Sequence, residues 1–165
     1  MRRKMMQRLV AWKNAPGRKP LLLYGARQTG KTYLLNEFAR QEFPDDYVRF
    51  DLERDSRARQ VFEHELDSTV LLRRLSQVAG RPIDPEHTLL ILDEAQASNR
   101  ALASLKYFQE ELPQLHVIAA GSLLGVAVNQ QGFTMPVGKV QTMTLHPMDF
   151  DEFLEAVGED AYLDE

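Results

Sequence analysis

The segment Gly25-Ala-Arg-Gln-Thr-Gly-Lys-Thr32 constrains this chain most, because it functions only where a strand passes into a helix. It matches G-x-x-x-x-G-K-[ST], and a chance match in a chain of this size is on the order of half a percent at ordinary residue usage. Its flanks agree with the requirement. Leu21-Leu-Leu-Tyr24 is a short apolar run of the kind that forms a buried parallel strand. From Lys31 onward, Leu34, Leu35, Phe38 and Ala39 make a helical stripe that stops before Pro44. The chemistry explains the residue types. Gly25 and Gly30 can take positive φ and approach phosphate oxygens closely. The successive N–H groups of Ala26, Arg27, Gln28 and Thr29 can form an anion nest, with only the backbone of Arg27 and Gln28 required. The helix N-terminus adds about half a positive charge. Lys31 is expected to bridge β- and γ-phosphates and the Thr32 hydroxyl to bind Mg²⁺. Tyr33 completes the cofactor-binding stretch.

The rest of the chain alternates in the same way. Tyr47–Leu52 reads as a strand, Thr88–Leu92 as the clearest buried one, Leu115–Ala120 as a fourth and Lys139–Leu145 as a fifth. A helix capped by Asp67 or Ser68 carries Leu71, Leu72, Leu75, Val78 and Ala79, and Gly80 and Pro82 end it. A second, capped by Ser98, carries Leu102, Leu105, Phe108 and Leu112 and closes at Pro113. Residues 123–138 read as an exposed loop and Asp149–Ala156 as a short acidic helix. Strand–helix alternation implies an α/β fold with three layers, a mainly parallel five-stranded sheet and helices on both faces. Ligands of such sheets sit beyond the carboxyl ends of the strands. Gly25, Asp93 and Ser122 all fall at such ends.

Asp93-Glu94 follows the strongest strand. There Asp93 is expected to hold Mg²⁺ through water, and Glu94 to polarise an attacking water as general base. Ser122, at the end of the fourth strand, is read as sensing a γ-phosphate or orienting the water; an ordinary capping serine is the alternative. Gln96 is either a second water-positioning group or a surface glutamine. Lys139 is either a phosphate contact or a solvated strand start. Trp12 and Tyr24 could stack on adenine, with core packing the preferred reading. Met6, Leu9, Val10 and Lys13 have the spacing of a solvated amphipathic first helix.

Composition narrows the rest. There is no Cys among the 165 residues, which removes disulfides, thiol catalysis and Cys-based metal sites. The apolar runs are far shorter than the ~20 residues of a membrane span, and no signal peptide is visible, so a cytoplasmic setting is expected. Residues 1–20 carry seven Lys/Arg and no acid, residues 149–165 carry eight Asp/Glu and no base, and the total is −4. A net acidic domain is a poor general nucleic-acid binder. No Asn is followed by Lys, so the guanine signature N-K-x-D is missing and ATP is the expected nucleotide. Asp93-Glu-Ala-Gln96 is superficially like a helicase motif, but a helicase needs two such domains.

Four segments together resemble one family: Leu21–Tyr33, Leu90-Ile-Leu-Asp-Glu-Ala-Gln96, His116-Val-Ile-Ala-Ala-Gly-Ser122 and Leu145-His-Pro-Met-Asp-Phe-Asp-Glu-Phe-Leu154. They are similar to the AAA-type P-loop ATP-binding domain of the prokaryotic AAA_14/DUF4143 ATPases. The resemblance implies one domain over residues 1–165, with strand order 5-1-4-3-2. It also implies Lys31 and Thr32 on phosphate and Mg²⁺, Asp93 on Mg²⁺, Glu94 as catalytic base and Ser122 as a sensor. Gly138-Lys139 stands where such proteins carry Gly-Arg, and a Lys lacks the guanidinium fork of an arginine finger. The C-terminal DUF4143 region, nuclease-like or DNA-binding, would follow the acidic segment and is expected to be missing here. The expected activity is Mg-dependent ATP binding with slow hydrolysis, driving or switching an attached or partner module and self-associating through the nucleotide edge. The alternative is a nucleotide-dependent switch or adaptor with negligible turnover.

Overall fold

The computed structural model describes residues 2–25, 30–122 and 138–145. Five strands, β1 (Leu21–Gly25), β2 (Tyr47–Asp51), β3 (Leu89–Asp93), β4 (His116–Gly121) and β5 (Gln141–Leu145), form one sheet in the order β2-β3-β4-β1-β5. Every pairing is parallel. Read from the other edge the order is 5-1-4-3-2, as the family resemblance implied.

Strand pleating sorts the side chains onto two faces. Leu22, Val48, Phe50, Leu90, Leu92, Val117 and Ala119 pack under α3 (Ser56–His64), α4 (Ser68–Ala79) and α5 (Asn99–Glu111). Leu21, Leu23, Leu89, Ile91, Ile118, Ala120, Met143 and Leu145 pack under α1 (Arg2–Asn14) and α2 (Lys31–Glu42). All five residues of β3 are buried, which explains its unbroken apolar run. Burying each of its leucines contributes roughly 1.5–3 kcal/mol.

Local signals set the helix ends. Asp67 accepts from the Val70 N–H at 3.1 Å, which decides the cap of α4 in its favour over Ser68. Gly80 ends that helix with φ 73°. Ser98 accepts from Ala101 N–H at 3.1 Å and starts α5. Helix α3 was not foreseen. Only Ala58, Val61 and Phe62 are buried among charged neighbours, too short a stripe to stand out. Its one clear signal is Asp55, whose carboxylate caps Ala58 N–H.

Expected boundaries shift by one or two residues. β5 begins at Gln141 rather than Lys139, because Gly138 turns the chain at φ 81°. In α1 the innermost residues are Met5, Leu9 and Trp12; Met6 and Val10 are only partly buried. The helix is rotated to seat its largest side chain, whose indole N–H donates to Lys19 O at 2.7 Å. Nearly all of the expected loop at 123–138, and the expected helix at Asp149–Ala156, lie outside the described residues.

Candidate nucleotide site

The strand ends assemble the site. Because all strands are parallel, Gly25, Asp51, Asp93 and Gly121 emerge at one edge of the sheet. A cleft of about 500 Å³ opens there, lined by residues that include Gly30, Lys31, Thr32, Arg49, Glu94 and Ser122. It occupies the position that parallel-sheet topology reserves for ligands.

The two glycines of the motif serve in different ways. Gly30 has φ 82° and precedes the first turn of α2, a left-handed conformation that favours glycine. Gly25 is not in the positive-φ region. That corrects the expectation of backbone freedom there: a Cβ at Gly25 would collide with the carbonyl oxygen of Leu145 on β5. Glycine at 25 allows β5 to lie against β1. Helix α2 has no side-chain cap and no acid in its first turn, so its terminal N–H groups and positive dipole end face the cleft edge uncompensated by either. Lys31 is buried and its Nζ donates to Gly25 O at 3.2 Å, at the end of β1. Ala26, Arg27, Gln28 and Thr29 lie outside the described residues.

Thr32 and Asp93, 61 positions apart, meet: Thr32 Oγ1 donates to Asp93 Oδ2 at 3.2 Å. The pleat explains the meeting. Asp93 shares the parity of Leu89 and Ile91, whose side chains face α2. Asp93 is 1% exposed, and its Oδ1 accepts from Glu94 N–H at 2.9 Å. A third partner comes from β2. Arg49 Nε and Nη2 both donate to Asp93 Oδ2, at 3.1 and 2.6 Å. Burying a carboxylate without such partners is costly.

Glu94 sits in the cleft wall with φ 51° and ψ 45°, a left-handed conformation costly for a non-glycine residue. Residues held this way cluster at functional sites, where the surrounding structure over-determines them. Its Oε2 accepts from Gln96 Nε2 at 2.6 Å. Gln96 is therefore a partner of Glu94 rather than a plain surface residue. Ser122 lines the cleft with a buried Oγ that has no hydrogen-bond partner. Tyr33 also lines it and is 50% exposed.

Other candidates lie elsewhere. Trp12 is core, and Tyr24 packs against the α3–α5 side of the sheet. Lys139 precedes β5 at the opposite end of the sheet and pairs with Glu110 of α5 at 3.5 Å, so it does not reach the cleft. The sequence reading missed Arg49, and with it Asp51, Glu53 and Arg54 on the cleft wall. The available signal was an arginine two positions before the end of a strand that otherwise alternates with buried Val48 and Phe50.

No cluster of three or more His, Cys, Asp or Glu able to hold a metal occurs among the described residues. The oxygen pair Thr32–Asp93 nevertheless suits Mg²⁺, a hard cation that takes one or two protein ligands and completes its shell with water and phosphate. The Arg49 guanidinium already holds that carboxylate at 2.6 Å.

Comparison with known proteins agrees with this geometry. The AAA_14 family, described as an AAA domain, matches residues 17–154. No curated protein matches the chain. Among solved structures, the Walker-type ATPase PABY2304 of Pyrococcus abyssi superposes with a TM-score of 0.60 at 18% identity, over 98% of this chain and 59% of that one. ORC1 of Aeropyrum pernix, in complex with DNA, gives a TM-score of 0.55 at 16% identity, over 96% and 48%. Drosophila ORC, bound to AT-rich DNA and Cdc6, gives 0.56 at 14%, over 89% and 55%. At these identities the likeness is one of fold. The chain spans about half to three fifths of the length of these structures.

Proposed function

The chain belongs to the AAA_14 family of AAA domains, and from that premise we propose that it binds ATP with Mg²⁺ at the carboxyl edge of its sheet and hydrolyses it slowly. The family and the fold support nucleotide binding and hydrolysis in general. The observation that carries the finer reading is the 3.2 Å contact between Thr32 Oγ1 and Asp93 Oδ2, beside Lys31 and Glu94 in one cleft.

In this reading the backbone of Gly25–Gly30 and the start of α2 cradle the phosphates. Lys31 exchanges its Gly25 contact for β- and γ-phosphate oxygens, and Tyr33 flanks the nucleotide. Thr32 and Asp93 would hold Mg²⁺, which when bound would supply positive charge beside the phosphates. Glu94 accepts a proton from the attacking water, and Ser122 directs its unpartnered hydroxyl to the terminal phosphate or that water. The nucleotide state then drives or switches an attached or partner module, with self-association through the nucleotide edge. A DNA-binding or nuclease-like partner region would lie outside this domain.

A second reading, a nucleotide-dependent switch with negligible turnover, is favoured by the two bonds that occupy Asp93 and Glu94 at rest. Titration calorimetry with Mg·ATP tests the shared premise. Lys31→Ala should weaken binding by roughly 10- to 150-fold, the worth of one charge-assisted contact. Unchanged binding would reject the assignment of the loop. Turnover that rises steeply with protein concentration supports the hydrolase, and tight binding without turnover supports the switch.

A further inference from the structure

We propose that Arg49 is a positioning residue that occupies the divalent-cation place on Asp93 and is displaced when the metal arrives. The inference rests on the Mg·ATP reading above and adds a residue to it. Three observations carry it.

The first is the identity of the shared atom. Asp93 has two oxygens; Oδ1 is taken by the Glu94 N–H, and Oδ2 is the one facing Thr32. Both Arg49 donors converge on that same Oδ2. The oxygen that would face the metal is the one the guanidinium holds, so the two cations compete for one acceptor.

The second is asymmetric burial. Asp93 is 1% exposed, whereas the Arg49 side chain is 32% exposed and lines the open cleft. Asp93 cannot leave its place on β3, but Arg49 has an exit. Asp51, on the same strand, and Glu53 also line the cleft and offer acceptors to the displaced guanidinium.

The third is register. Arg49 lies opposite Ile91 and reaches diagonally to Asp93 two residues on. The strand pairing therefore aims an arginine at this carboxylate. A buried carboxylate left without a cation is costly. Arg49 keeps Asp93 paired and oriented in the nucleotide-free protein, and its departure makes metal loading an exchange of cations rather than a simple addition.

The test compares wild type, Arg49→Ala and Arg49→Lys by two measurements. One is the Mg²⁺ concentration for half-saturation of ADP binding, read by calorimetry at fixed ADP. The other is thermal unfolding with and without Mg·ADP. Arg49→Ala should lower the Mg²⁺ half-saturation about tenfold, since the competing charge-assisted bonds are gone, with some discount for solvent exposure. The same variant should melt lower than wild type without nucleotide, and most of that gap should close with Mg·ADP. Arg49→Lys should fall between, because it restores a charge without the two-donor fork.

An unchanged Mg²⁺ requirement, with equal losses of melting temperature in both states, would make Arg49 merely structural and overturn the proposal. A raised Mg²⁺ requirement, or weaker ADP binding at saturating Mg²⁺, would make it a nucleotide ligand and also overturn it. Failure of the underlying site looks different: wild type itself would show no Mg²⁺-dependent ADP binding, which overturns both.

Discussion

The two ends of the sheet bury polar side chains for different purposes. At the amino end, around Trp12, most of them serve the main chain, although Lys13 also pairs with the Glu42 carboxylate at 3.2 Å. The Trp12 indole donates to Lys19 O, and Arg18 donates to Lys13 O and Gln114 O. His116 is packed edge-on between the rings of Trp12 and Phe43, with centroids 6.1 and 5.0 Å away. At the carboxyl end Lys31 also donates to a carbonyl, that of Gly25, but the other bonds of the site run between side chains: Thr32 to Asp93, Arg49 to Asp93, Gln96 to Glu94. Such bonds are a minority of protein hydrogen bonds, roughly 10–15%. Side chains that satisfy carbonyls close a fold. Side chains that satisfy one another at a cleft, beside a strained Glu94 and an unpartnered Ser122, hold groups ready to be re-partnered.

The contrast can be broken by removing one group from each end. At the carboxyl end, Glu94→Gln should reduce ATP turnover by about 10²–10⁴, the usual worth of a general base, while Mg·ATP binding persists. A single-turnover assay checks it, and undiminished turnover would remove Glu94 from that role. At the amino end, Trp12→Ala should cost about 3–5 kcal/mol of stability through the cavity it leaves. Urea unfolding measures that loss, and calorimetry on the folded protein should give an unchanged ATP affinity. Weakened affinity would mean the two ends are coupled.

The smallest effect concerns pH. Burial lowers the His116 pKa from 6.5 to about 4, and the charges of Arg18 and then Lys13 add to this. The unfolded chain therefore binds this proton more readily than the folded one between those values. Stability from His116 is complete above pH 6.5 and falls as pH drops towards 4, by roughly 2 kcal/mol after allowance for solvent screening. Urea unfolding from pH 4 to 7 should show that slope, and His116→Asn should flatten it. An unaltered slope would place the titration elsewhere.

Much of this was readable along the chain. The run Leu89–Asp93, the helical stripe from Leu34 to Ala39 and the caps Asp67 and Ser98 depend on neighbours within a few positions. So does the motif that names Gly30, Lys31 and Thr32. Helix α3 escaped because its apolar stripe is short, and the seating of α1 because a burial face is chosen by what lies beneath it. The family resemblance supplied the strand order, which periodicity alone could not.

The amino-acid sequence by itself determined the alternation of strands and helices and the residue types able to meet a phosphate, since both follow from local periodicity and spacing. Only the tertiary structure decided that Arg49 holds Asp93, that Gly25 must be small for Leu145 and that Lys139 faces away from the cleft. Those outcomes depend on register and face between strands distant in the chain. A shift of one residue in that register would turn every such side chain to the other side of the sheet.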